Sequence, residues 1–311
     1  MTAGERGTNE LAQFEDRAPL LGLLAILWGS SYVFLKVAVA EIPPVTLIAL
    51  RVLGATIFLL LVMGARREKL PRDVSTWRML LLQAFLNSIG AWTVQAWGQQ
   101  FVASGLASVL NSTSPIFVFF VTALVTRHEA LGGHKLVGAV LGLLGVVLIV
   151  GVDALRGLGD QVAGQLACLF SAGLYACAAI YGRRFGHISA VASATGTMIW
   201  ASVVLVPLAL VLDQPWTLAP GPKALAATAV LSILCTGVAL LIYFRLVRTL
   251  GSMGVASQSY LRAGIGVILG LVFLEETFTL PVGAGLFAAV GGVALINWPT
   301  KRKTLSSDVR N

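Results

Sequence analysis

Asn111 lies at the centre of a polar stretch within an otherwise apolar run, ASVLNSTSPIFVFF, residues 107–120. Ser108, Ser112 and Pro115 recur with it at the spacing i, i+3, i+4, i+7, so the four residues share one face of a helix. Proline removes a backbone donor and leaves the Asn111 carbonyl without its helical partner. This face is suited to binding a small polar ligand from a cavity wall. The alternative is a packed kink in which Ser and Thr hydroxyls bond back to the helix.

Arg262 is a charge near the middle of another apolar run, on the same helical face as Ser259 and Gly266. An arginine at this depth in a bilayer costs at least about 2.5–3.5 kcal/mol, so its donors need acceptors. Backbone carbonyls, cavity water and the carboxylate of a bound substrate are all candidates, and a structural role and substrate contact stay equally open. We expect Arg51, nearer the end of its run, to be structural, reaching outward or capping a helix end.

Further polar and aromatic side chains recur at helical spacing in other apolar runs. The aromatic rings suit a pocket for flat or apolar groups, with core packing as the alternative for each ring. The predicted substrate-binding residues are Trp28, Tyr32, Asn87, Trp92, Gln95, Asn111, Ser112, Tyr175, Tyr243, Ser259, Tyr260 and Arg262.

Motifs for catalysis are weak in this chain. No GxxxxGK[ST] phosphate loop occurs, and His128, Glu129 and His134 do not fit HExxH. A GxGD sequence at residues 157–160 falls in a loop and lacks the second membrane carboxylate that an aspartyl dyad needs. We therefore predict no catalytic residue, no metal and no cofactor, with an intramembrane enzyme as the weak rival hypothesis.

Apolar runs must position these side chains. Of 311 residues, 57% are hydrophobic and only 12% are charged, against about 25% charged in soluble domains. A membrane-spanning helix needs roughly 20 apolar residues. The predicted fold is an all-α polytopic membrane protein in the lipid bilayer, with ten transmembrane helices at 18–39, 44–64, 76–97, 104–126, 135–152, 162–182, 188–212, 224–249, 254–274 and 280–298.

The basic residues predict the orientation of these helices. With the N-terminus in the cytoplasm, 17 of the 22 Lys and Arg residues fall on the inner side, and only Lys36, Arg156 and Lys223 fall on the outer side. Both termini are therefore predicted to be cytoplasmic. The net charge of +8 is attributed to this loop bias, and no nucleic acid partner is expected.

An internal repeat relates the two halves of the chain. ASQSYLRAGIGVIL, residues 256–269, aligns with the Asn111 stretch at an offset of 149 residues, which pairs Gly105 with Gly254. Each repeat holds five helices, at 1–155 and 156–311. Because five is odd, the second repeat enters the membrane from the opposite side. This predicts inverted-topology repeats, with a binding site near the midplane where they meet.

Trp28 to Ser31 (WGSS), the Pro-Pro pair before Arg51, and the run from Gly105 to Gly151 resemble the drug/metabolite transporter superfamily. The likeness is to its EamA-type ten-helix exporters and covers essentially the whole chain. It implies a bacterial inner-membrane exporter of small molecules, with aromatic and other apolar amino acids as the first expectation. A multidrug or nucleoside-type efflux protein is the alternative within transport. A membrane sensor or scaffold is a non-transport alternative.

Mechanism and packing can also be anticipated. Proton relays usually need buried Asp, Glu or His, and all acidic residues map to termini, loops or helix ends, so facilitative transport is expected.

Helices 1, 3, 4, 6, 8 and 9 are predicted to line the cavity, with Pro115 and residues 264–266 as flex points. Helices 5 and 10 are predicted to pack closely or to form a dimer, with monomer or homodimer left open; their glycines are Gly138, Gly142, Gly145, Gly283, Gly285 and Gly292.

Overall fold

The computed structural model describes residues 18–121, 136–142, 144–145, 148, 160–243, 245–246, 258–276 and 280–296. The helices are α1 (Ala18–Val39), α2 (Pro44–Ala65), α3 (Val74–Ala84, Phe85–Ile89 and Gly90–Gly98 in one continuous run), α4 (Ser104–Asn111 and Ser114–Val121), α5 (helical residues between 136 and 148), α6 (Asp160–Gly182), α7 (Ala190–Leu212), α8 (Pro222–Tyr243), α9 (Gln258–Phe273) and α10 (Leu280–Ile296).

Each described helix overlaps one of the ten predicted apolar runs, and no strand occurs in the part of the chain that is described. The predicted helical residues 122–126, 149–152, 247–249, 254–257 and 297–298 lie outside the described residues. Six of them, α1, α2, α4, α6, α7 and α8, are long and apolar enough to cross a membrane, and α9 and α10 contain shorter apolar helical segments. An all-helical membrane protein is thereby confirmed. The crossing of the membrane by all ten helices, and the inversion of the repeats, stay predictions.

Local sequence explains where several helices begin. Pro44 and Pro222 are the first residues of α2 and α8, where a missing N–H has no consequence for the helix. Asp73 caps α3 by accepting the Thr76 N–H at 2.7 Å. The hydrogen bonds from Thr76 also hold the pKa of the Asp73 carboxyl below its usual range. The helix boundaries therefore follow from short-range chemistry.

Two helices contain a π-helical turn, Phe85–Ile89 in α3 and Ile233–Val238 in α8. These are the third helices of the two predicted repeats. Shifted by the repeat offset of 149 residues, the first turn falls on 234–238, almost on top of the second. Such turns recur at functional sites because they re-aim side chains and free backbone carbonyls. Both halves thus share an irregularity that apolar patterning does not predict.

Helices from the two halves of the chain pack against each other. Helix α2 packs along α7, α1 along α8 and α9, and α3 along α6. Helices α5 and α10 approach at backbone distance: a Cβ added at Gly145 would lie 2.5 Å from the Ala289 nitrogen. Gly138, Gly142, Gly145, Gly285 and Gly292 therefore lie in a contact within one chain, whereas nothing lies within 4 Å of a Cβ added at Gly283. Whether the protein is a monomer or a homodimer stays open.

Candidate functional site

Asn111 is the hub of a buried polar cluster, called here the Asn111 centre and made of Tyr32, Gln95, Asn111 and Ser171. Only 1% of Asn111 is exposed. Its Oδ1 accepts the Tyr32 hydroxyl at 3.0 Å, and its Nδ2 donates to Gln95 Oε1 at 3.2 Å and to Ser171 Oγ at 3.4 Å. Four helices, α1, α3, α4 and α6, therefore meet at one amide, and the amide is fully hydrogen bonded within the protein.

The chain of α4 is interrupted immediately after Asn111. Ser112 Oγ donates to the Ser108 carbonyl at 2.8 Å, and Thr113 Oγ1 donates to the Leu110 carbonyl at 2.6 Å. Pro115 is the second residue of the following helical segment. The hydroxyls at this break bond back to the helix, as in the packed-kink alternative.

Arg51 departs from its expected position. It is 6% exposed, its Nε donates to Thr236 Oγ1 at 2.9 Å, and its guanidinium carbon lies 4.0 Å from the centre of the Trp92 ring. Thr236 belongs to the π-helical turn of α8. The expectation that Arg51 reaches outward or caps a helix end is wrong. An aromatic face and a hydroxyl replace the water that this cation has lost.

Arg262 lies where α1, α4 and α9 cross. Ser108 Oγ donates to the Arg262 carbonyl at 3.3 Å, and a Cβ added at Gly29 would lie 3.0 Å from that oxygen. A Cβ at Gly266 would overlap the Ser108 side chain. The Arg262 Nε is buried and has no hydrogen-bond partner among the described residues. The backbone at Arg262 is closely packed, whereas the Nε of its guanidinium has no hydrogen-bond partner among the described residues.

The two arginines face the same two phenols. Tyr32 interacts electrostatically with Arg262 and Arg51, and Tyr175 interacts with both as well. In the described part of the chain, neither arginine forms an ion pair with a carboxylate. The two arginines therefore place positive charge beside the Asn111 centre.

The remaining predicted site residues lie elsewhere or outside the described side chains. Trp28 and Tyr243 pack against each other with ring centres 5.3 Å apart. Asn87 donates to the neighbouring Ser88 Oγ at 3.1 Å within the π-helical turn of α3. The side chains of Ser259 and Tyr260 fall outside the described part of the structure.

Ser171 and Thr236 join the polar contacts although they are outside the predicted set. Each lies on a helical face already marked by a tyrosine, Tyr175 on α6 and Tyr243 on α8, and this spacing was the signal available in the sequence. The pairing of Thr236 with Arg51 has no signal of its own, because the two residues are 185 positions apart.

One end of the bundle is held by charged caps, and we call it the capped end. Glu276 accepts the backbone N–H groups of Ser104 at 2.5 Å and Gly105 at 3.0 Å, which caps the start of α4 from the α9–α10 connection. Lys36 donates to the carbonyl of Gln99 at 2.6 Å, at the end of α3.

Two more carboxylates act at the same end. Asp213 accepts the Thr46 N–H and hydroxyl, each at 2.8 Å, and Glu41 accepts the Gly221 N–H at 2.6 Å. The α1–α2 and α7–α8 connections are thereby tied to each other. All the residues that make these links lie on the side predicted to be outside.

At the opposite end, a cavity of about 280 Å³ lies between the α2–α3 and α6–α7 connections. Its lining residues are Glu68, Lys69, Pro71, Ile188, Ser189 and Ala192. Ser189 Oγ donates to Glu68 Oε2 at 2.5 Å within it.

A buried polar centre lies among apolar helices from both halves of the chain. This arrangement is typical of multi-pass membrane transporters. The sequence model of the EamA-like transporter family matches this chain twice, over residues 17–151 and 162–298. The chain belongs to the EamA-like transporter family.

Relatives and a solved structure agree with this assignment. The chain is 27% identical to the uncharacterized inner membrane transporter YedA of Escherichia coli K12, over 89% of this chain and 92% of YedA. It is 25% identical to a probable amino-acid metabolite efflux pump of the same strain, over 83% of this chain and 86% of the pump. A solved crystal structure shares the fold, with a TM-score of 0.63 and 19% identity over 90% of this chain and 96% of that one.

Proposed function

We propose that this protein exports small amphipathic metabolites across the bacterial inner membrane, with aromatic and other apolar amino acids as its main substrates. The observation that carries the proposal is a buried polar centre at which both halves of the chain meet, where Ser108 of α4 contacts Arg262 of α9. The similarity to a probable amino-acid metabolite efflux pump supports the substrate class. The finer likeness to exporters of aromatic amino acids stays a prediction.

Ten membrane-spanning helices in two inverted repeats, with both termini in the cytoplasm, give this transporter alternating access. The twofold match to the family and the paired π-helical turns support the repeat. The links at the capped end support an up-and-down arrangement, since they join only connections that follow odd-numbered helices. Opening toward the capped end requires the Glu276 contacts with α4 to break.

Transport is facilitative in this proposal. The described carboxylates with printed partners, Glu41, Glu68, Asp213 and Glu276, bond at helix ends or in connections. None of these acids lies in the polar centre, so a proton relay of the usual kind lacks its carrier there.

Counterflow in proteoliposomes tests the proposal. Vesicles loaded with unlabelled phenylalanine, leucine or alanine should accumulate the radiolabelled form of the same amino acid. Vesicles without protein and vesicles containing an Asn111→Leu variant serve as controls. Exchange of nucleosides or cationic drugs without exchange of any amino acid would favour the efflux alternative.

An imposed proton gradient tests the coupling separately. Net flux of amino acid down its own gradient should proceed at the same rate with and without the imposed proton gradient. Concentrative uptake that appears only when protons flow would overturn facilitative transport and leave the substrate class standing.

A further inference from the structure

The membrane interior of this protein contains two arginines that are not equivalent. Arg51 is committed to partners, since its Nε donates to Thr236 at 2.9 Å and its guanidinium stacks on Trp92 at 4.0 Å. Arg262 retains a buried Nε with no partner among the described residues. A buried donor without an acceptor is unfavourable, and one on a cation more so. Among the described residues, Arg262 therefore keeps a donor for a ligand, whereas the Nε and one face of the Arg51 guanidinium are occupied.

A continuous set of contacts links the backbone of Arg262 to the guanidinium of Arg51. The Arg262 carbonyl lies against Ser108 of α4, one turn from Asn111. Asn111 bonds Gln95 of α3, and Trp92 lies one turn before Gln95, with Arg51 over its ring.

Tyr32 and Tyr175 each interact electrostatically with both arginines, so the two phenols belong to the same region as the two charges. A region with two cations, two hydroxyl groups and no described carboxylate favours an anion.

The geometry points to a carboxylate subsite: we propose that Arg262 binds the carboxylate of the transported substrate, with Tyr175 as a second donor and Arg51 as a fixed positive charge behind it. The guanidinium fork matches a carboxylate in two parallel hydrogen bonds. This subsite rests on the proposed transport function and names the group by which the substrate is selected. A phosphate monoester offers the same oxyanion chemistry. The carboxylate is favoured because Arg51 already has its own partners, so that one singly charged group completes the site.

Paired ligands that differ only in charge test the subsite. Isothermal titration of the purified full-length protein in detergent would use 3-phenylpropionate with 3-phenylpropanamide, and phenylalanine with phenylalaninamide. Wild-type protein should bind each acid at least about tenfold more tightly than its amide, because the amide leaves the Arg262 charge unpaired. Phenyl phosphate is the third arm and separates the two sources of an oxyanion.

The decisive variant is Arg262→Gln. Its control is Lys223→Gln, which removes an exposed cation from the side of the protein predicted to be outside. Arg262→Gln should lose most of the preference for acid over amide, while Lys223→Gln should keep it. Arg262→Lys should recover part of the preference, since it restores the charge without the fork. If Arg262→Gln does not fold, the acid-to-amide ratio of the wild-type protein still decides, and a ratio near one overturns the subsite.

Other outcomes separate this subsite from the proposed function. Equal counterflow of acids and amides would overturn the subsite and leave the export proposal intact. Failure of every amino acid in counterflow, together with Arg262-dependent binding of 3-phenylpropionate, would overturn amino acid export and leave the subsite standing. Tight binding of phenyl phosphate alone would overturn the carboxylate assignment, and binding of none of the anions would overturn the subsite altogether.

Discussion

Helices α4 and α9 occupy equivalent places in the two predicted repeats, and their polar residues differ in their contacts. In α4 the helix breaks after Asn111, and hydroxyls and amides hydrogen bond one another across four helices. In α9 the helix is continuous from Gln258 to Phe273, and Arg262 aligns with Thr113 at the offset of 149 residues. Helix α4 thus belongs to a closed hydrogen-bond network, whereas α9 supplies a cation whose Nε has no partner among the described residues. The sequence repeat does not extend to the chemistry of the polar centre.

The largest effect should come from Asn111→Leu. The substitution keeps side-chain size but leaves the Tyr32 hydroxyl and the Gln95 amide oxygen without Asn111 as a partner. Each buried group left unpaired costs about 1–3 kcal/mol. The free energy of unfolding, measured by reversible denaturation in mixed micelles, should fall accordingly.

The matched control for this change is Asn87→Leu, which removes a single described bond from a half-buried amide. Its loss should be clearly smaller. Equal losses for the two variants would mean that the Asn111 centre is no more tightly built than its surroundings.

Gly266→Ala should also be destabilising, because its Cβ would overlap the Ser108 side chain where α9 crosses α4. Overpacking of this kind typically costs about 1–3 kcal/mol. Gly264→Ala is the control on the same helix, since nothing lies within 4 Å of the added Cβ. That variant should be neutral or stabilising by up to about 1 kcal/mol in the same denaturation measurement.

The same pair of variants tests the predicted flex point at residues 264–266. If α9 must bend there during transport, Gly264→Ala should slow counterflow even though it stabilises the fold. Unchanged counterflow would assign flexing to the break in α4 instead, where Pro115 lies.

The stacking of Arg51 on Trp92 should give an intermediate effect. A double-mutant cycle with Arg51→Met and Trp92→Leu isolates the interaction, which is worth about 2 kcal/mol for a desolvated cation over an aromatic face. Additive losses would show that the two side chains are neighbours without coupling. The Thr236→Val variant reports the hydroxyl contact in the same assay.

The smallest effect on stability is expected for Arg262→Met. Replacing a half-buried cation whose Nε has no partner among the described residues removes a desolvation penalty, so the unfolding free energy should stay unchanged or rise. A loss as large as that of Asn111→Leu would show that Arg262 is held by partners in the fold. The contrast between α4 and α9 would then disappear.

Much of the fold is accessible from the sequence because apolar length and charge bias act locally. The predicted end of the first helix at residue 39 agrees with Val39, and the Pro44 start of α2 is marked by its proline pair. The π-helical turns could not be anticipated, since Phe85–Ile89 has the same apolar pattern as a regular helix.

The candidate site is accessible only in part. Periodicity places Asn111 and Ser112 on a polar face, and it marks Arg262 as a charge that needs a partner. It does not give the depth and rotation of one helix against another, which must be set to within a hydrogen-bond length of about 3 Å. For that reason the sequence predicts a structural role for Arg51 but not its partner: the guanidinium stacks on Trp92 and does not reach outward.

By itself, the sequence determined that this protein is a helical membrane protein, where its apolar helices lie, and which of them carry polar residues. These properties depend on composition and on the 3.6-residue period, both of which are read along the chain. Tertiary structure alone decided that Asn111 is hydrogen bonded within the fold, that Arg51 stacks on Trp92, and that the buried Arg262 Nε has no partner among the described residues. Partners from different helices are far apart in sequence, and only close packing brings their polar atoms within reach of each other.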